Sequence, residues 1–229
     1  RPSSRRRRER PVPPFSPRGR WRAPARHDRR LESLLTEGFV AIDLETTGLD
    51  PRRDAIVEIA AVPFLDGRSG PAYTTHVDPG RPIPPESVRL HGITDSMVSG
   101  SPMIRDVLPR LDAVCGGHVL VGYGVGFDIA VLGRARRAHG YARMANAVLD
   151  TNGLASALHP EWAGLDLSDL ATRLGIGILG RHTSEGDARA AGEILLALIP
   201  ELLMRGIRRV DEAVWFQKSP RGLGPGPVR

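Results

Sequence analysis

The segment Phe39-Val40-Ala41-Ile42-Asp43-Leu44-Glu45 constrains this chain more than any other. An apolar run leads straight into two carboxylates spaced i, i+2, and a β-strand puts residues at that spacing on one face. Thr46-Thr47-Gly48 then breaks the strand and offers hydroxyls and backbone N–H groups. Two convergent carboxylates at a strand end repel each other and are costly to hold unless something positive sits between them. A divalent cation relieves that cost. Taken alone, the segment also fits an edge strand with two solvated acids before a turn.

Three later features bear on the choice. Phe127-Asp128 follows the run Val119-Leu120-Val121-Gly122-Tyr123-Gly124 and precedes a helical stretch, Ile129-Ala130-Val131-Leu132. His182 and Asp187 stand five apart at the start of another helical segment. Asp150-Thr151 closes the short run Ala147-Val148-Leu149. Five helical residues turn through about 500°, so His182 and Asp187 do not share a helical face. His182 therefore belongs to the loop and Asp187 to the first helical turn.

The order Asp-x-Glu, Phe-Asp, His-x-x-x-x-Asp resembles the DEDDh family of 3′–5′ exonucleases, typified by the epsilon proofreading subunit of bacterial DNA polymerase III. Ile56-Val57-Glu58-Ile59-Ala60-Ala61-Val62 is similar to the family's second strand, and His91-Gly92-Ile93-Thr94 to its His-Gly-Ile-Thr signature. The resemblance covers residues 38 to 204. It implies a ribonuclease-H-like α/β fold with a five-stranded mixed sheet flanked by helices. It also implies two divalent ions, Mg²⁺ or Mn²⁺, held by Asp43, Glu45, Asp128 and Asp187, with Asp43 bridging them. His182 is then the general base, since a histidine titrates near neutrality and accepts a proton from the attacking water. Thr46, Thr47, Gly48 and Leu49 are expected to hold the 3′-terminal nucleotide, with Leu49 packed on a base.

Structural alternatives stand beside several of these roles. Asp128 also suits a helix N-terminus, and Ser184-Glu185-Gly186-Asp187 a variant capping arrangement. His91-Gly92 either borders the terminal nucleotide or is a helix end with a glycine stop. Phe127 either stacks a base or packs its helix on the core. Glu58 interrupts an apolar strand and suits a structural or supporting role. One departure from the family is plain: Tyr123-Gly124 stands where His-Asn is common. That pair is not a principal ligand, so the departure bears on substrate choice.

Composition narrows the setting. Residues 1–30 hold twelve arginines against Glu9 and Asp28, a net of +10, whereas the remainder is −4. The tail, rich in arginine and proline, has too little apolar content to fold. It reads as a nucleic-acid-binding arm, a passive extension or a transit peptide. An exonuclease domain is expected over 31–205, and a short C-terminal helix with a flexible end over 206–229. Arginine outnumbers lysine 31 to 1, which reads as genome bias rather than as 31 functional guanidinium groups. The single cysteine, Cys115, forms no intrachain disulfide, so a reducing cytoplasm is the default. No uninterrupted apolar run approaches the ~20 residues of a membrane span, so no membrane partner is expected.

Strands are expected over 39–45, 55–65, 71–77, 118–122 and 147–149. Helices are expected over 87–91, 103–114, 127–139, 151–158, 166–174, 185–204 and 207–217, the second entered through Ser101-Pro102 as an N-cap. The resulting expectation is a metal-dependent 3′–5′ exonuclease acting on single-stranded or frayed DNA ends, with a DNA polymerase as a possible partner. An RNA-trimming exonuclease and a non-catalytic nucleic-acid-binding module are the alternatives.

Overall fold

The computed structural model describes residues 29–218. The arginine-rich segment lies outside the described residues except for Arg29 and Arg30, and so does the glycine- and proline-rich end after Lys218. One mixed sheet organises the rest. β1 (Phe39–Thr46) runs antiparallel to β2 (Ile56–Leu65), and the outer edge of β2 is taken by β3 (Arg68–Ser69) and β4 (Tyr73–His76). After α1 (Pro85–His91), α2 (Asp95–Val98) and α3 (Ile104–Cys115), β5 (Leu120–Gly122) returns parallel to β1. α4 (Gly126–Ala138) leads to β6 (Val148–Asp150), parallel to β5. Four helices follow: α5 (Thr151–Leu158), α6 (Leu167–Arg173), α7 (Ser184–Met204) and α8 (Val210–Phe216).

The sheet therefore has six strands, in the order β3-β2-β1-β5-β6 with β4 also on β2, rather than the five expected. The extra strand is the two-residue return of the Asp66-Gly67 turn, and both its residues are exposed, so no apolar alternation marks it. The cap of α3 also differs. Its N-cap is Met103 rather than Ser101, and no side chain caps the helix. Cys115 is buried and unbridged, as a small apolar side chain at the end of α3.

Strand alternation decides what each face of the sheet carries. Val40, Ile42 and Leu44 of β1 pack with Val107, Leu108 and Leu111 of α3 and with Val131 and Leu132 of α4. Phe39 and Ala41 point the other way and join Ala60, Val62 and Phe64 of β2 under Ile194, Leu195 and Leu198 of α7. The same alternation aims Asp43 and Glu45 at the side where α7 lies. α7 sits close to the sheet because residue 192 is glycine: a Cβ there would lie 2.2 Å from the Phe64 ring.

The short C-terminal helix packs on this same core. Val210, Ala213 and Phe216 of α8 are buried with the α7 residues, and Leu31 N donates to Arg208 O at 2.8 Å. The side-chain amide of Gln217 lies along β6: Asp150 N donates to Gln217 Oε1 at 2.8 Å, and Gln217 Nε2 donates to Val148 O at 3.1 Å. Among the described residues no helix is long and apolar enough to cross a membrane.

Candidate active site

The C-terminal end of β1 delivers Asp43 and Glu45 beneath the first turn of α7, which delivers Asp187. One carboxylate oxygen from each of the three lies within 4.8 Å of the others. Asp128 enters from the first turn of α4. β5 is only three residues long, so the Leu44 amide beyond it has no strand partner, and Asp128 Oδ1 accepts from it at 3.0 Å. That bond ties Asp128 to the middle of the Asp-Leu-Glu segment.

The electrostatics of the cluster are unfavourable as it stands. Burial, followed by repulsion from Asp128, Glu45 and Asp187, holds the Asp43 carboxyl well above the usual range. Glu45 is pushed up to about 8, by burial first and then by Asp187 and Glu58. Burial raises Asp128 to about 7. Asp187 is raised by burial and partly restored by the Arg181 guanidinium. Asp187 Oδ1 is buried without a hydrogen-bond partner. Convergent hard oxygens, mutual repulsion and an orphaned carboxylate oxygen all fit a divalent cation.

His182 is exposed at the lip of this cluster. Its φ is +64°, and among the described residues the only other non-glycine with positive φ is Asp66, in a Asp-Gly turn. A left-handed conformation costs a non-glycine residue roughly 1–2 kcal/mol. The loop that imposes it is seated on Gly186, where a Cβ would lie 2.0 Å from Gly180 O. Thr183, the N-cap of α7, accepts from Gly186 N, so Ser184 is the first helical residue and not the cap.

The nucleotide-binding candidates divide into inward and outward groups. Thr46 Oγ1 donates to Gly48 O at 2.7 Å, and Thr47 Oγ1 donates to Asp54 Oδ1 at 3.0 Å while accepting from Ala55 N. Both threonines are buried, so their hydroxyls hold the loop together. Gly48 is required by the same packing, since a Cβ there would lie 2.6 Å from the Asp54 carboxylate. Arg134 of α4 donates to the carbonyls of Pro51 and Asp54, tying the loop to the helix that carries Asp128. Leu49 projects outward, 82% exposed. Phe127 is partly buried against the α3–α4 side of the core.

His91 closes α1, and Gly92 follows in the left-handed region with φ +75°. Its ring also reaches the loop. Nδ1 accepts from Ile93 N at 3.0 Å, which puts the proton on Nε2, and Nε2 lies 3.3 Å from Thr46 O. Both ring nitrogens are thus engaged by the protein, and burial lowers the pKa of the ring. Tyr123 donates from its hydroxyl to Leu165 O, and Gly124 N donates to Asp150 Oδ1 at 2.9 Å, so this pair anchors the end of β5.

Glu58 supplies a polar link between the sheet and α7. It stands opposite Glu45 in the β1–β2 register, and its Oε2 accepts from Ser184 N at 3.1 Å and Ser184 Oγ at 2.6 Å. Its Oε1 lies 3.2 Å from His76 Nε2. Ser184 is fully buried. Glu58→Ala is expected to destabilise the domain by about 2 kcal/mol, because the Ser184 donors are left buried and unpaired. It should also slow turnover by loosening Asp187, while Glu58→Gln restores most of both. Thermal melts and steady-state rates on the two variants check this; an alanine variant as stable as the parent would refute the clamp.

Arg181, Asp54 and Arg134 were not among the residues singled out from the sequence, and Gly186 entered only as part of a candidate capping run. Arg181 was in view beside His182, but in so arginine-rich a chain it carried no distinguishing signal.

A family model described as Exonuclease, of the RNase T type, matches residues 40–195. The DNA polymerase III subunit epsilon-like protein of Rhodobacter capsulatus is 42% identical over 174 residues, covering 74% of this chain and 25% of that protein. The PolC-type DNA polymerase III of Lacticaseibacillus paracasei is 36% identical over 168 residues, covering 73% of this chain and 12% of that protein. The chain thus spans a quarter or less of the length of these two relatives. Among solved structures, Exonuclease X in complex with 5′ overhanging duplex DNA superposes with a TM-score of 0.58 at 27% identity, covering 71% of this chain and 92% of that one. With a ribonuclease-H-like sheet, a family model matched over more than half of its length and a relative 42% identical over 74% of it, the chain belongs to the exonuclease family of DEDD type.

Proposed function

We propose that this chain is a divalent-metal-dependent exonuclease that removes nucleoside 5′-monophosphates from the 3′ ends of single-stranded or frayed DNA. The observation that carries the reading is the convergence of Asp43, Glu45 and Asp187 within 4.8 Å, with Asp128 braced on the intervening Leu44. Asp43, Glu45, Asp128 and Asp187 would hold the cations, and Mg²⁺ or Mn²⁺ suits an all-oxygen set. Such ions, when bound, supply Lewis acidity to the attacking and leaving oxygens of an in-line displacement.

The chain's own groups do the rest. His182, exposed on its strained loop, takes the proton of the attacking water. Leu49 packs against the terminal base, and the braced Thr46–Gly48 backbone receives the sugar end. Phosphate, sugar and stacking contacts carry little sequence information, so cleavage is expected to tolerate any base. DNA is favoured over RNA because the similar Exonuclease X structure was solved with DNA and the curated relatives are DNA polymerase III proteins. The same names suggest a replicative polymerase as partner. Retention of all four carboxylates argues against a non-catalytic module.

The test is a panel of 5′-labelled single-stranded DNA, recessed duplex DNA and RNA oligomers with Mg²⁺, Mn²⁺ or EDTA. A ladder shortening from the 3′ end, fastest on DNA and absent in EDTA, is expected. Shortening from the 5′ end, or equal rates in EDTA, would refute the reading.

A further inference from the structure

Arg181 touches both groups on which the proposed reaction depends. Its Nη1 donates to Oδ2 of Asp187 and lies 3.3 Å from Nδ1 of His182. Its Nε donates to Oγ of Ser168 on α6 at 3.0 Å. The Ser168 bond holds the guanidinium from a helix outside the carboxylate cluster, and the side chain is only 29% exposed. Arg181 therefore has a seat with three contacts and is not a loose surface charge.

Each contact restrains something specific. A guanidinium has no lone pair, so it can only donate to Nδ1. Nδ1 must then be the acceptor nitrogen of a neutral ring, with the proton on Nε2. A ring held that way has committed its basic nitrogen to Arg181 and has none left for water. At Asp187, one oxygen is committed to Arg181 and the other, Oδ1, is buried and unpartnered. A positive charge at this place also repels any incoming cation.

We infer that Arg181 competes with the divalent cation for Asp187 and holds His182 inactive while it does so. It is a positioning residue, a latch that couples occupancy of the carboxylate cluster to release of the base. Once Asp187 turns to a cation, the guanidinium loses its anionic partner and faces like charge. It then leaves Asp187, and Nδ1 of His182 is freed. The inference rests on the metal-dependent reading above.

The experiment is a Mn²⁺ titration of the full chain, with free ion followed by electron paramagnetic resonance, for the parent, Arg181→Gln and Ser168→Ala. Arg181→Gln is expected to bind Mn²⁺ about tenfold more tightly, the effect of removing one positive charge a few ångströms away. Ser168→Ala should tighten binding by a smaller factor, because the latch loses its anchor, and it carries the test if Arg181→Gln does not fold. In ¹⁵N spectra of the histidine rings, Mg²⁺ should shift Nδ1 of His182 in the parent. In Arg181→Gln that signal should stand at the shifted position before Mg²⁺ is added. Equal Mn²⁺ affinity in the parent and folded variants overturns the latch. Absence of Mn²⁺ binding in the parent instead overturns the metal-dependent reading, and the latch with it.

Discussion

Asp43→Asn is expected to lower exonuclease turnover by about 10³-fold or more, since on the metal-dependent reading it removes a central charge from the site whose cations would supply several kcal/mol of charge stabilisation. The same change should make the domain more stable in EDTA. Asp43 is repelled by Asp128, Glu45 and Asp187, and an amide there ends that repulsion. The pH dependence has a definite sign. Glu45 rises from an ordinary 4.5 to about 8 on folding, so the folded state binds more protons than the unfolded state across that interval. Stability from this group is full below the lower value and is lost as pH rises through the upper one. Melting temperatures of the parent in EDTA should therefore fall between those two pH values, less steeply in Asp43→Asn, and the fall should vanish in Mn²⁺. A folded Asp43→Asn protein with near-parental turnover would end the two-cation account.

His182→Ala should reduce kcat by roughly 10²-fold or more, the usual reach of a general base, while KM for short DNA changes little. Loss of binding with kcat intact would mean that His182 grips substrate instead of activating water. A second comparison separates chemistry from fold. Asn is tolerated in the left-handed region, so His182→Asn should melt close to the parent yet be as slow as the alanine variant.

The sequence exposed the parts of this molecule that are long or charged against expectation. β1 and β2 announce themselves by apolar runs, and Asp43 and Glu45 by interrupting one at strand spacing. α7 is legible through 21 residues of mostly apolar character. β3 and α2 were not legible, because two exposed residues and four uncapped ones leave no periodicity to read. The inward turn of Thr46 and Thr47 was invisible for another reason: it depends on Asp54, whose carboxylate reaches back across the loop. Arg181 was hidden by abundance, and Gly186 by the ordinary look of a glycine near a helix start. For the threonine loop the missing information was a contact across the loop, which spacing along one segment does not encode.

The amide of Gln217 has a meaning for the molecule's social behaviour. β6 ends the sheet, and a bare strand edge invites another chain to add itself by hydrogen bonding. Here a side chain imitates a neighbouring strand, offering one acceptor and one donor to Asp150 N and Val148 O, the slots a recruited strand would need. The site is a plug, delivered by a helix that joins the core after every strand has been laid down. Both slots stay filled while α8 stays docked, so this edge is capped by the closing turn of the described chain and not by the sheet itself.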